Sequence, residues 1–405
     1  MDSDTPRNSG QGFHTRLSHA GRAGTHAYGF VNPAVHRGST VLFPTMAARI
    51  KGQRDGTEQE MTYGLNGGPT HYPLENIVAE IEGGLRAQIV SSGLAAITTA
   101  LLAFVKAGDH ILVTDSIYGP GRSFCDGMLA RLGVRTTYYD PTIEPAALDA
   151  LFQPTTTLLY TESPGSQTFE VQDIPGLAAA AHARGAKLLM DNTWGIHFFQ
   201  PFRHGVDVSI QALTKYVGGH SDLMLGAVTV NDADDFRRVR DTALELGQFA
   251  SPDDCWLALR GARTLGVRLD RQMRGALDVA SWLAGRPEVL QVLYPALPGA
   301  PGHALWKRDF SGACSLFGLV LRPEFGRDAV YAMTESLQLF GMGASWGGFE
   351  SLALPTTRSM TRTAGSGRFG GEMMRLHVGL EDPADLIADL EQGLAVLRAT
   401  PSDAP

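Results

Sequence analysis

Primary amines are scarce in this 405-residue chain: its lysines are Lys51, Lys106, Lys187, Lys215 and Lys307, and arginine supplies the rest of the 34 basic residues. Lys215 is set apart by its flanks. It follows the strand-like run Val208-Ser209-Ile210-Gln211-Ala212-Leu213-Thr214 and precedes Tyr216-Val217-Gly218-Gly219. A lysine desolvated in such a setting has a lowered pKa and becomes a usable nucleophile toward carbonyls. The ordinary reading of a lysine, a solvated surface charge, is weakened by apolar residues on one side and glycines on the other. Asp191 closes another apolar run, Leu188-Leu189-Met190. A carboxylate there can bind a metal, act as a base, or hold a proton on a heterocyclic nitrogen. No second acidic residue or histidine lies at ligand spacing, so the metal reading is poor, while capping of the following turn stays equally open. A third strand end, Val90-Ser91-Ser92-Gly93-Leu94, turns through small residues into a helix. Such a turn presents free N–H groups at the positive end of a helix dipole, which suits a phosphate, although taken alone it is better explained by simple N-capping.

The order of the three matters more than any one of them. A phosphate cradle, then a carboxylate, then a lysine, each closing a strand of one sheet, fits pyridoxal 5′-phosphate, which needs an anion site, a carboxylate for its ring nitrogen and an amine for its aldehyde. Tyr118, soon after the run His110 to Thr114, supplies a flat face for the ring, or alternatively a turn aromatic packed on the next helix.

These residues need elements to hold them. From about residue 85, short β-prone runs alternate with Ala/Leu-rich helical stretches: Ala87–Val90 before Leu94–Phe104, His110–Thr114 before Arg122–Leu132, Thr157–Tyr160 before Gly176–Arg184, then Lys187–Met190 and Val206–Ile210. Continuous apolar strands separated by helices predict an α/β core with a mostly parallel central sheet buried on both faces. Ligands collect at the carboxyl ends of such strands. Asp253 to about Leu283 reads as one long amphipathic helix leading to a smaller α+β C-terminal domain, with strands at Val289–Tyr294, Ser315–Leu321 and Arg375–Leu380. The expected division is an extended N-terminal arm over 1–62, a cofactor-binding α/β domain over 63–260 and the C-terminal domain over 261–405.

The formal net charge of −8 argues against nucleic acid as a partner. Cys125, Cys255 and Cys314 are odd in number and far apart, which speaks for a reducing compartment and against a structural zinc. With no signal-peptide pattern and no apolar run of about 18 residues, the expectation is a cytoplasmic protein without membrane association.

Six motifs make the chain similar to a known family: Tyr63 with Gly68-Pro69-Thr70; Ser91-Ser92-Gly93; Glu162-Ser163-Pro164-Gly165-Ser166; Asp191-Asn192-Thr193-Trp194; Thr214-Lys215-Tyr216 with Gly219-His220-Ser221-Asp222; and Arg375-Leu376-His377-Val378-Gly379-Leu380-Glu381. From about His19 to the last helix it resembles the Cys/Met-metabolism branch of the fold-type I pyridoxal-phosphate enzymes, and within it the bacterial cystathionine β-lyases. The resemblance implies a fold-type I transferase-like architecture and a homo-oligomer, usually tetrameric. It implies that Lys215 binds the cofactor aldehyde and later moves the substrate Cα proton, that Asp191 holds the pyridine nitrogen protonated and that Tyr118 stacks on the ring. Ser92, the amides of Gly93 and Leu94, and the Thr214 hydroxyl would hold the phosphate. Tyr63 would reach into a neighbouring subunit's site, and Arg375 would clamp the carboxylate of a sulfur amino acid. Ser345 and Trp346 belong to a stretch of β-lyase form; a large ring there narrows the substrate channel, and its neighbouring glycines offer a core ring little to pack against. The implied reaction is α,β-elimination of L-cystathionine to homocysteine, pyruvate and ammonia. The alternatives are a γ-acting relative, a broad cysteine-S-conjugate lyase or a non-catalytic protein of the same fold. One departure stands out: the family's usual Tyr-x-Arg is Tyr63-Gly64-Leu65 here, which removes a charge-assisted phosphate contact of about 1.5–3 kcal/mol.

Overall fold

The computed structural model describes residues 10–22, 29–54, 59–365 and 369–401, with 51–54 as backbone alone. The rest of the arm expected over 1–62, and the Lys51 side chain, lie outside the described residues. Seven strands form the first sheet: β1 (Arg86–Val90), β2 (His110–Thr114), β3 (Arg135–Tyr139), β4 (Thr156–Glu162), β5 (Lys187–Asp191), β6 (Val208–Gln211) and β7 (Gly226–Val230), in the order β1-β7-β6-β5-β4-β2-β3. Only β7 runs against the others, since it pairs antiparallel with both β1 and β6 while β6-β5-β4-β2-β3 are parallel throughout. The sheet is therefore mostly parallel.

Side-chain alternation explains why its strands read as unbroken apolar runs. On β2, Ile111 and Val113 face one core and Leu112 the other; on β5, Leu189 faces the first and Leu188 and Met190 the second. Each face is covered by helices, Gly93–Phe104 and Ala233–Glu245 on one, His71–Glu82 and Ile174–Ala183 on the other. Period-2 alternation with both faces buried leaves no polar position to break the run. β3 escaped the sequence reading because it is the sheet's edge: Arg135-Thr136-Thr137-Tyr138 are at least partly exposed.

Three expectations need correction. The arm is not wholly extended, because Phe13–His19 and Met46–Arg54 are helical. The stretch Arg122–Leu132 is a short helix, Gly119–Phe124, that widens into a π-helical turn at Cys125–Leu129. The long helix from Asp253 is two, Pro252–Ala262 and Leu265–Ala284. No proline breaks it. At the break the Gly261 carbonyl accepts the Thr264 N–H and hydroxyl, each at 3.1 Å, and the Arg268 guanidinium at 2.8 Å, while Arg268 Nε donates to Thr264 Oγ1 at 3.1 Å. Arg263 at the break donates to the carbonyls of Leu17 and Ala20, tying the first helix to this corner.

The second sheet is antiparallel, β10-β11-β9-β8, made of β8 (Val289–Leu293), β9 (Leu316–Leu321), β10 (Leu352–Pro355) and β11 (Met373–His377). Helices Leu265–Ala284, Arg327–Ser336 and Pro383–Ala399 accompany it. Asp389 of the last helix accepts the backbone N–H groups of Gln338, Leu339 and Phe340, which fixes the chain as it enters the loop before β10. Cys125, Cys255 and Cys314 are buried free thiols. Among the described residues, no helix is long and apolar enough to cross a membrane, and no cluster of His, Cys, Asp and Glu could hold a metal ion.

Candidate active site

The carboxyl ends of β4, β5 and β6 lie side by side, and the chain leaving each lines a common cleft of about 360 Å³. Ser92, Gly93, Leu94, Tyr118, Asp191, Thr214, Lys215, Trp346 and Arg375 all line it. The first eight come from the large sheet's loops and the 345–350 turn; Arg375 comes from β11 of the second sheet. The site is thus a seam between two sheets.

At one end the helix Gly93–Phe104 begins. Ser92 is its N-cap, its Oγ accepting the Ala95 N–H at 3.0 Å, so capping and anion binding are not exclusive: the Ser92 hydroxyl proton stays free to donate. A Cβ on Gly93 would lie 2.7 Å from that of Ala212, which shows how closely the helix start approaches the segment carrying Thr214 and Lys215. Thr214 is less free than expected. Its hydroxyl donates to Leu225 O at 3.1 Å and accepts from Leu225 N at 3.0 Å, so serving a phosphate requires it to release the carbonyl.

Asp191 is buried, with Thr193 N–H donating to its Oδ1 at 3.0 Å. Burial raises its pKa, while the Thr193 bonds and the charge of Lys215 oppose the rise. Lys215 Nζ donates to Ser345 Oγ at 2.6 Å and lies 5.2 Å from the Trp346 ring centre. Burial, reinforced by the neighbouring Arg375, pushes the Lys215 amine down to about 8, with Asp191 pulling the other way. Arg375 Nη2 donates to the Ser345 carbonyl at 2.9 Å. Ser345 therefore meets both cations of the site with its two oxygens, and it does so from the left-handed region, at φ 76°.

One placement differs from expectation. Trp346 does find packing, since its ring lies 5.5 Å from that of Tyr216 and it is half-buried. Tyr63 does not line the cleft; it pairs with Thr40 in an isolated bridge and leaves half its surface exposed. Glu162 was missed. It lines the cleft, sits in register with Asp191 on the adjacent strand and accepts the Tyr118 N–H at 2.6 Å. Burial and the facing Asp191 raise its pKa well above the carboxylate range. The rule that singled out Asp191, a carboxylate closing a buried strand, applies equally to Glu162. Tyr118 stays a neutral phenol, its pKa raised by burial and by Asp191 and Glu162.

The donor set fits pyridoxal phosphate. Neutral N–H and O–H donors at a helix start, an aromatic wall, a buried carboxylate and a desolvated amine lie along one cleft of a size that encloses a small ligand. Comparison with known proteins agrees. The profile of the Cys/Met metabolism PLP-dependent enzymes matches residues 14–395. A putative cystathionine beta-lyase of Rhizobium johnstonii is 48% identical over 392 residues, covering 96% of this chain and 97% of its own. The cystathionine beta-lyase of Escherichia coli is 41% identical over 387 residues, covering 94% and 98%. A solved cystathionine gamma synthase from Xanthomonas oryzae pv. oryzae, in complex with aminoacrylate and cysteine, superposes with a TM-score of 0.87 at 30% identity over 96% of this chain and 99% of that one.

Proposed function

The chain belongs to the Cys/Met-metabolism family of PLP-dependent enzymes, and on that premise we propose that it is a carbon–sulfur lyase that cleaves L-cystathionine by α,β-elimination to homocysteine, pyruvate and ammonia. The observation that carries the reading is the meeting of Lys215, Asp191 and Arg375 in one cleft with Trp346 beside the amine. In this reading Ser92, the Gly93 and Leu94 amides and Thr214 hold the cofactor phosphate, Asp191 its ring nitrogen, Tyr118 one face of its ring and Lys215 its aldehyde. When bound, pyridoxal phosphate supplies an electron sink for charge developing at the substrate Cα.

The side chains do the rest. Arg375 retains guanidinium N–H groups beyond the one given to Ser345, and these take the substrate carboxylate through parallel hydrogen bonds that orient Cα. Lys215, with an amine near pKa 8, is a competent base at neutral pH and removes the Cα proton from the side it occupies. Release of homocysteine then breaks the Cβ–S bond. Trp346 narrows the channel beside Lys215 and favours a leaving group at Cβ over chemistry one carbon further out. Tyr63 serves the site of a neighbouring subunit in a homotetramer, and the enzyme works in the cytoplasm, where its three thiols stay reduced.

The deciding experiment supplies L-cystathionine to the cofactor-loaded protein and identifies products. Pyruvate with homocysteine is expected. Main products of 2-oxobutyrate and cysteine overturn the β-lyase assignment in favour of γ-elimination.

A further inference from the structure

His377 has no part in the chemistry above, yet it is a buried polar side chain one strand step from the substrate end of the cleft. It lies two residues from Arg375 on β11, so both side chains leave the strand on the same face. Its Nε2 accepts the Gly347 N–H at 3.0 Å and its Nδ1 faces the Glu350 carbonyl at 3.0 Å. Together the two contacts require one tautomer, neutral, with the proton on Nδ1. Burial pushes the imidazole down to about 3, so the Nε2 lone pair is available across the working range.

What His377 holds is an unusual turn. Ser345 and Gly347 both have positive φ, 76° and 88°, and a Cβ on Gly347 would stand 2.8–3.0 Å from the backbone of Lys215 and Tyr216. A non-glycine residue in that region persists only where its surroundings fix it. The strained Ser345 is the residue that meets Lys215 Nζ and Arg375 Nη2. We propose that His377 is a positioning residue: by accepting the Gly347 N–H it locks the Ser345-Trp346-Gly347 turn, and through Ser345 sets the placement of Lys215 and Arg375 toward the substrate carboxylate and its distal chain. For its substrate this proposal rests on the lyase reading above.

Two variants separate the contacts. In H377N the shorter amide can still donate to the Glu350 carbonyl but ends short of Gly347, whereas in H377Q the longer side chain reaches Gly347 with its Oε1. Two readouts are used: KM and kcat for cystathionine, and the rate at which acetic anhydride acetylates Lys215 in cofactor-free protein at one pH, with exposed Lys106 and Lys307 as internal references. H377N is expected to raise KM about fivefold, with kcat within about twofold, and to speed Lys215 acetylation about threefold, the scale of one lost hydrogen bond. H377Q should match the wild type in both. If H377N does not fold, H377L takes its place with the same expectations. The proposal is overturned if H377N behaves as wild type, if H377Q is as impaired as H377N, or if kcat and thermal midpoint fall together with KM unchanged, the mark of a purely structural role. A wild-type protein that releases no pyruvate from cystathionine overturns the substrate reading alone, and the acetylation rates then decide for His377.

Discussion

Lys215 is the residue on which opposing demands converge. Burial and the charge of Arg375 favour loss of its proton, while the nearby Asp191 carboxylate opposes it. Replacing Lys215 by alanine removes the base, and pyruvate release from cystathionine should fall by at least about 10²–10⁴-fold; a Lys215→Ala protein with wild-type turnover would remove the mechanism. Asp191→Asn tests the other pole. The amide oxygen can still accept the Thr193 N–H, but the charge that retains a ring proton is gone, so cofactor affinity should drop about tenfold in a fluorescence titration of cofactor-free protein. Both residues were legible because each follows an apolar strand. Glu162 satisfies the same rule, since it closes the adjacent buried strand in register with Asp191. The engagement of Thr214 with Leu225 could not be foreseen, because the partner is supplied by the chain entering β7.

At the scale of elements, the 345–350 turn and strand β11 decide how the substrate end is shaped. Gly347→Ala places a methyl against the backbone of Lys215 and Tyr216 and demands a left-handed alanine; a loss of about 1–3 kcal/mol in unfolding free energy, together with weakened cystathionine turnover, is expected. β11 also carries an acid sensitivity. His377 takes up a proton only near pH 3 in the folded protein, whereas in the unfolded chain it does so near its ordinary value of about 6.5. Between those values the unfolded state binds the extra proton. Stability therefore falls as pH falls through this window, by about 1.4 kcal/mol per pH unit at most. Urea unfolding at pH 7, 5.5 and 4, at one protein concentration, should show this dependence in the wild type and a weaker one in H377Q. Equal slopes would show that the imidazole is not buried neutral. The break between the helices Pro252–Ala262 and Leu265–Ala284 illustrates what escapes element-level reading. The contacts found at it, Arg268 on the Gly261 carbonyl and Arg263 on the carbonyls of Leu17 and Ala20, depend on packing, and no proline marks it in the local sequence.

The whole molecule brings the two sheets together, and the cleft exists only at their junction. Tyr63, outside this cleft with its ring half exposed, is the side chain we assign to a neighbour's site. The assignment makes a trans-complementation prediction. Mixed assemblies of Y63F and K215A subunits, each inactive alone, should regain cystathionine cleavage when unfolded and refolded together, because one of the two sites in a mixed pair then carries neither substitution. No recovery in assemblies shown to be mixed would place Tyr63 in its own subunit's chemistry or in none.

The sequence by itself determined five of the large sheet's seven strands, the cofactor class and the poles of the site, because those depend on local patterning: apolar runs of strand length, small residues at a helix start, a carboxylate and a rare lysine at strand ends. Family motifs extended this to Arg375, Ser345 and Trp346 without saying how they meet. Only the tertiary structure decided that Ser345 touches both Lys215 and Arg375, that His377 holds the turn which makes this possible, and that Thr214 is already engaged. Those contacts join residues 130, 30 and 11 positions apart in the chain. They are products of packing between sheets and turns, and no periodicity in the sequence encodes them.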